Sequence, residues 1–150
     1  MNTNKNSYII IYSAVLVVIV AFLLAYIFQA LKPMQDVNVA LDKKKQILAA
    51  LNIRELGDVE SAEKYKEVVK ADMIVDANAQ VIEAGEQGGE KAAFKLNSAD
   101  YKAGKLAVYV CEVDGKTKYV IPVYGMGLWG PIWGYISLDE DKNTVYGAYF

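Results

Sequence analysis

Histidine is absent from this chain of 150 residues, and cysteine occurs only once. Without histidine, the chain lacks the commonest acid–base catalyst and the commonest metal ligand, and we predict no catalytic residue and no metal site in it. A single cysteine cannot form a disulfide within the chain. Cys111 stands in Val108–Val113, a segment typical of a strand, so we predict a buried thiol rather than a reactive one.

An excess of positive charge is also missing from most of the chain. Two of the 16 lysines and arginines, Lys5 and Lys32, precede residue 33, whereas all 18 aspartates and glutamates follow it. Residues 33–150 therefore carry a net charge of −4. Binding to nucleic acid requires a basic patch for the phosphates, so this balance argues against a nucleic-acid partner.

What the chain does have is a long apolar run, Tyr8–Phe28, of 21 residues without a charge. A helix of this length spans about 30 Å, which matches the hydrocarbon core of a bilayer. The run is longer than the apolar core of a signal peptide, and its nearest pattern of small residues lies inside it, so we predict an uncleaved membrane anchor. Residues 1–32 then hold the N-terminus and anchor, and residues 33–150 form one domain.

Two helices are predicted after the anchor. Asp36 is placed to cap a helix that follows Pro33 and runs to about Leu51, with apolar residues at helical spacing. Lys43–Lys45 lies on the other side, either as a solvated face or as a contact with anionic lipid headgroups or a neighbouring subunit. A second helix is predicted from about Val59 to Lys70.

The rest of the chain predicts an antiparallel sheet, because short apolar or alternating runs are separated by turn residues such as Asp114-Gly115. The predicted strands are Met73–Val75, Ala79–Ile82, Leu106–Val113, Lys118–Tyr124, Ile132–Leu138 and Thr144–Phe150. The fold class is α+β: a single N-terminal transmembrane helix followed by a mixed domain of short helices and an antiparallel sheet. The last strand runs to Phe150 without a cap or tail, so we expect the domain to be incomplete at its C-terminal end.

Two glycine-rich stretches invite comparison with nucleotide-binding loops. Gly85–Glu90 has two glutamates and no suitably placed lysine, so we interpret it as an ordinary loop. Gly125–Gly130 matches G-x-G-x-x-G, but Pro131 and a predicted strand follow where a dinucleotide site needs a helix. The second stretch is left with two interpretations: a glycine-rich corner with Trp129 and Trp133 in the core, or a wall that lies against a flat ligand.

The segment Pro122–Ile136 resembles the Gly-Leu-Trp segment of the FMN-binding domain in respiratory flavoproteins. The order of parts, an anchor, a basic segment at Val39–Leu48 and then the Gly-Leu-Trp strand, resembles the C subunit of the Na⁺-translocating NADH:quinone reductases. The resemblance implies that FMN is the cofactor and that its isoalloxazine ring lies near four residues. They are Gly127, Leu128, Trp129 and Gly130.

Two motifs of the resembling family are missing from residues 1–150. The family attaches FMN through its phosphate to the threonine of a Ser-Gly-Ala-Thr motif, and it has a Glu-Thr-Pro-Gly-Leu-Gly segment near the flavin. The threonines of this chain, Thr3, Thr117 and Thr144, lie in other contexts. We therefore expect no covalent FMN attachment within 1–150, and we expect both motifs to follow Phe150 in a longer protein.

The resemblance implies a membrane-anchored flavoprotein subunit of a Na⁺-pumping NADH:quinone oxidoreductase that reduces ubiquinone. Its FMN would carry electrons between other redox centres, its partners would be other subunits and the lipid bilayer, and NADH would bind elsewhere in the complex. The chain alone would be inactive. The resemblance also places the protein in the cell inner membrane as a single-pass protein, with a cytoplasmic N-terminus and a periplasmic domain.

Two alternatives to this function stay open. One is the sister FMN subunit of an ion-translocating ferredoxin:NAD⁺ reductase, which shares the Gly-Leu-Trp segment. The other is a membrane-tethered assembly module without a cofactor.

Overall fold

The computed structural model describes residues 6–150, so Thr3 and Lys5 lie outside the described residues. Its helices are α1 (Asn6–Ala50), α2 (Asp58–Val68) and α3 (Ser98–Lys102), with a 3₁₀ turn at Ala93–Lys95. Its strands are β1 (Val69–Val75), β2 (Val81–Glu83), β3 (Leu106–Val113), β4 (Lys116–Met126), β5 (Pro131–Leu138) and β6 (Val145–Tyr149). The predicted α+β class, an apolar N-terminal helix followed by short helices and an antiparallel sheet, is confirmed. The chain divides into two compact units after Ala40.

The first unit, as far as it is described, is the helix from Asn6 to Ala40. Its apolar side chains are exposed all round, as at Phe22 and Tyr26. Water would solvate such a surface poorly, whereas lipid tails match it. Among the described residues, α1 is the one helix that is long and apolar enough to cross a membrane.

Helix α1 continues through Pro33, so the predicted helix start at Asp36 is wrong. Proline removes one backbone hydrogen bond and crowds the preceding turn, which costs about 3 kcal/mol in a helix interior. The residues on both sides, Gln29–Leu31 and Met34–Gln35, are good helix formers, and a long helix tolerates the loss of one bond. The predicted end near Leu51 agrees with the observed end at Ala50.

The sheet has the order β2-β1-β3-β4-β5-β6, and all neighbours are antiparallel. Helix α2 ends two residues earlier than predicted, and β1 begins at Val69 rather than at Met73. Both Val68 and Val69 are β-branched, which favours extended backbone, and Val69 pairs with Cys111 on β3. Strand β3 has its predicted bounds, and the predicted Asp114-Gly115 turn joins it to β4.

One face of this sheet, together with the end of α1 and with α2, forms the core of residues 41–150. The largest fully buried side chains include Ile47, Leu48, Tyr65 and Tyr109. Cys111 belongs to this core and is 1% exposed, and burial raises the pKa of its thiol to about 12. The predicted buried thiol is therefore confirmed.

The opposite face of the sheet is apolar but only partly buried. Its side chains alternate with the core residues along the strands; they are Met73, Val108, Val110, Tyr119, Ile121, Val123 and Ile136. An antiparallel sheet with one solvated face usually carries polar side chains there. The apolar composition therefore indicates a contact surface.

The three consecutive lysines of α1 bind three different segments of the same domain. Lys43 Nζ donates to the carbonyl oxygen of Phe94 at 2.6 Å, Lys44 Nζ lies 2.6 Å from Glu90 Oε1, and Lys45 Nζ lies 2.6 Å from Asp58 Oδ1. Lys44 is 9% exposed, so the predicted solvated face is wrong for it. These internal partners account for the lysines without a lipid headgroup or a neighbouring subunit.

The loop Gly85–Glu90 is held against the core by close backbone approaches. Gly85 and Gly89 have φ angles of +71° and +54°, which favour glycine. A Cβ on Gly89 would lie 2.5 Å from Val69 Cγ1, and the hydroxyl of Tyr65 donates to the Gly89 carbonyl at 2.7 Å. The predicted loop is present, and its glycines are needed for packing.

Candidate functional site

The four residues predicted to lie near a flavin form the loop that joins β4 and β5. The last ladder pair is Met126 with Pro131, and the amide of Gly127 then donates to the carbonyl oxygen of Gly130 at 2.8 Å. A Cβ on Gly127 would collide with the side chain of Ile132, and Gly130 has a φ of +148°. Gly130 therefore requires glycine in this conformation, whereas a side chain at position 127 would require the Ile132 side chain to move.

Leu128 and Trp129 project from this loop into open space, with 92% and 97% of their surface exposed. Trp133, on β5, is 52% exposed. The interpretation that both tryptophans pack in the core is therefore wrong. Exposed rings of this size are unusual on a protein surface unless a ligand, lipid or partner covers them.

Most of the hairpin that carries the loop is uncharged, because Tyr119–Leu138 contains no charged residue. The residues that flank this stretch, Lys118 on β4 and Asp139 just after β5, pair with each other. Such a surface is unsuited to proton transfer or metal binding. It can present aromatic rings, aliphatic surface and the backbone groups of a glycine-rich loop to a largely apolar or aromatic ligand.

Two clefts of the domain lie away from this hairpin tip. One of about 320 Å³ is lined by the end of α1 and by Arg54, Ser61 and Tyr149. Another of about 510 Å³ is lined by α2 and by the turn at Asp114. Neither of these two clefts includes the loop Gly127–Gly130, whose Leu128 and Trp129 side chains are exposed. The described part of the chain also holds no cluster of three metal-ligating side chains.

The residues present fit contact with a flavin ring but not a phosphoester attachment. An exposed aromatic and aliphatic surface beside a glycine-rich loop suits a planar ring. The two described threonines lie beside carboxylates: Thr144 Oγ1 donates to Asp141 Oδ2 at 2.5 Å, and the Thr117 amide donates to Glu140 Oε1 at 3.1 Å. A phosphate at either position would meet negative charge, which opposes attachment there.

Sequence reasoning about this loop missed the residues beside it on the strands. Tyr124 and Met126 of β4 are 74% and 78% exposed, and they extend the apolar surface down from the tip. The signal that would have found them is strand alternation. Every second residue of a strand lies on the same face of the sheet, so Tyr124 and Met126 lie on the same face as Val120.

No protein-family model matches the chain. Among curated proteins, it is 31% identical over 132 residues to the C subunit of the Na(+)-translocating NADH-quinone reductase of Haemophilus ducreyi, covering 78% of this chain and 51% of that protein. The C subunit of the same reductase from Pseudomonas aeruginosa is 30% identical over 145 residues, covering 81% and 53%.

A solved relative supports the same relationship in three dimensions. The crystal structure of the C subunit of the reductase from Parabacteroides distasonis aligns with a TM-score of 0.68 at 38% identity, covering 79% of this chain and 56% of that chain. The predicted similarity to the C subunits of these reductases is confirmed. The chain spans about half the length of the curated relatives it matches.

Proposed function

We propose that this chain supplies the membrane anchor and part of the flavin domain of the C subunit in a Na⁺-translocating NADH:quinone reductase. Similarity to such C subunits in both sequence and fold carries this proposal. The exposed, uncharged hairpin agrees with it, because electron transfer through a flavin demands no acid–base residue from the protein.

FMN is the cofactor that we propose for this subunit. When bound, it would carry electrons between other redox centres of the complex. The energy released by this electron flow would drive Na⁺ export. The protein's own contribution is to hold the ring and to exclude water from one side of it. We assign this contact to Gly127, Leu128, Trp129 and Gly130, and the covalent attachment to a residue outside 1–150.

The same relationship supports a proposal for the membrane arrangement. We propose residues 1–32 as the cytoplasmic N-terminus and single transmembrane anchor, and residues 33–150 as the part exposed on the periplasmic side of the inner membrane. The exposed apolar surface of α1 supports insertion in a bilayer. The apolar face of the sheet opposite the core, which includes Val110 and Ile121, supports contact with other subunits of a complex.

One observation favours a second candidate function, a membrane-tethered assembly module without a cofactor. Trp129 and Leu128 are almost fully exposed, and neither cleft described above opens beside them. A protein partner would cover such a tip as well as a flavin would.

Purification of the affinity-tagged chain from its own membranes in mild detergent tests the proposal. We expect NADH:quinone reductase activity that rises with Na⁺ to co-purify with the chain, along with FMN at one equivalent or more. Ferredoxin:NAD⁺ reductase activity in its place would assign the chain to the sister complex.

The assembly module makes a different prediction in the same experiment. If the chain is an assembly module without a cofactor, the complex should still be recovered with Trp129→Ala, and its flavin content and spectrum should not change. Tyr119→Leu serves as the matched control, because Tyr119 is an aromatic residue of β4 on the opposite face of the sheet. A complex without any redox activity would contradict the reductase assignment.

A further inference from the structure

The core face of the β4–β5 hairpin continues outward beyond the part that the helices cover. Val120 and Ser137 face each other across the ladder, and both are fully buried. Two residues further along, Pro122 faces Tyr135, which is 6% exposed. The next pair on this face is Tyr124 with Trp133, and these rings are 74% and 52% exposed.

Tyr124 and Trp133 therefore form a cross-strand aromatic pair on the core side of the sheet. Residues directly opposite in an antiparallel ladder have Cβ atoms about 4.5–5.5 Å apart, so the two side chains leave the same face of the sheet as neighbours. The register of β4 with β5 is continuous from Tyr119 to Met126, so both side chains keep the orientation of the buried residues before them. The pair lies where the packed core ends and open surface begins.

The surroundings of this pair suit an aromatic ligand better than a charged one. Met126 faces Pro131 in the next ladder position, and the loop with Leu128 and Trp129 follows. Lys118 is six residues from Tyr124 along β4, which is about 20 Å in a strand. Aromatic rings gain most from stacking or edge contact with another ring, about 0.5–1.5 kcal/mol beyond the apolar area that they bury.

We propose that Tyr124 and Trp133 form an aromatic platform for one face of the isoalloxazine ring, next to the glycine loop at Gly127–Gly130. This inference rests on the proposed function, because that function supplies the flavin. It goes beyond the loop by placing the ring over the core face of the hairpin. The opposite face of the hairpin, where Val123 and Ile132 lie, then takes no part in flavin contact.

Flavin fluorescence in the purified complex tests the platform. Tryptophan and tyrosine in contact with a flavin quench its excited state, and leucine does not. Trp129 would quench as well, so the variants are made in a Trp129→Leu background, in which we expect replacement of both Tyr124 and Trp133 by leucine to lengthen the flavin fluorescence lifetime several-fold. Trp133→Tyr keeps a quenching ring, and it should retain most of the quenching at the same position.

Tyr119→Leu is the control, since it removes an aromatic ring from the same strand on the opposite face. Circular dichroism of each variant checks that the sheet is intact. A lifetime in Tyr124→Leu/Trp133→Leu equal to that in Tyr119→Leu, both in the Trp129→Leu background and in a complex that contains FMN, would overturn the platform and leave the proposed function standing. A wild-type complex that contains no flavin would overturn both.

Discussion

The hydroxyl of Ser137 on β5 donates a hydrogen bond of 2.6 Å to the carbonyl oxygen of Ala50, the last residue of α1. The last carbonyls of a helix have no partner within the helix, so this bond satisfies one of them inside the core. Asn52 adds a second link, because its Nδ2 donates to the Tyr146 carbonyl at 3.1 Å. The end of α1 is thus fixed to the two last strands by polar contacts as well as by packing.

Replacement of Ser137 by alanine should lower the free energy of unfolding of residues 41–150 by about 1–3 kcal/mol. The reason is that the Ala50 carbonyl would stay buried without a hydrogen-bond donor. The hydroxyl itself is small, so its removal changes the packing little. Denaturant unfolding of the detergent-solubilised protein measures this change. Ser98→Ala is the control, since Ser98 is exposed at the start of α3. Equal stability of the two variants would contradict the role given to this bond.

Asp72 fastens the segment between β2 and α3 to the sheet. Its side chain is fully buried, and its carboxylate accepts hydrogen bonds from the amides of Ala92 at 2.7 Å, Phe94 at 3.2 Å and Glu86 at 3.3 Å. We expect Asp72→Ala to cost about 3 kcal/mol or more, because three amides lose their acceptor. The same change should speed trypsin cleavage at Lys91 and Lys95.

Glu63→Gln is the control for Asp72, because Glu63 is an exposed carboxylate of α2. It should leave both the stability and the cleavage rate near wild type. A stable Asp72→Ala variant with an unchanged cleavage pattern would show that the loop is held by packing alone.

Sequence patterns predicted the elements whose signals are local. The hairpin at Asp114-Gly115 and the bounds of β3 follow from alternation and turn residues, and they agree with the structure. Helix α3 and the 3₁₀ turn at Ala93–Lys95 were missed, because the segment has no apolar periodicity. Asn97 caps α3 with a side chain that accepts from the amides of Ala99 and Asp100, and this cap was the signal available.

Errors arose where long-range contacts decide the outcome. The lysines at 43–45 look like a solvated face in sequence, because their partners lie 13 to 51 residues away. Trp129 and Trp133 look like core residues by composition. The structure instead places Trp129 in the exposed loop after the last ladder pair, and the register of β4 with β5 places Trp133 beyond the covered part of the core face. The four predicted flavin contacts stay a prediction, and the structure adds that they share one exposed loop.

Lys43 should make stability depend on pH in the alkaline range. Burial lowers the pKa of Lys43 from 10.5 to about 8, although the Asp72 carboxylate opposes this shift. Between these two values the unfolded chain binds a proton that the folded protein does not, so the contribution of Lys43 to stability rises with pH across this window. Below about pH 8 both states are protonated, and this contribution is constant.

Comparison with Lys43→Met isolates this effect, because methionine keeps an unbranched apolar chain without the amine. The difference in unfolding free energy between wild type and variant should grow in favour of wild type from pH 8 to pH 10, by at most about 1.4 kcal/mol per pH unit. Cys111 and the buried tyrosines, whose pKa values burial raises, destabilise both proteins equally above pH 9. A difference that does not vary with pH would contradict a neutral Lys43 in the folded domain.

The orientation of the anchor is the last prediction, and two arguments bear on it. The positive-inside rule counts lysines within about 15–20 residues of a span. Lys43–Lys45 lies 15 to 17 residues after Phe28, within this window, so together with Lys32 it outnumbers Lys5 and the amino terminus, and the rule favours the reverse orientation. The rule is statistical, and we give more weight to the resemblance to the C subunits of the reductases, from which we predict a periplasmic domain.

Protease added to intact spheroplasts should therefore digest residues 41–150 and leave a membrane-protected fragment that contains Tyr8–Phe28. Trypsin suits this test, because Lys64, Lys66 and Lys91 are accessible on the folded domain, whereas the span contains no lysine. A cytoplasmic enzyme of the same cells, probed in the same digest, controls for lysis. Survival of the domain until the spheroplasts are broken would place it in the cytoplasm and reverse the proposed orientation.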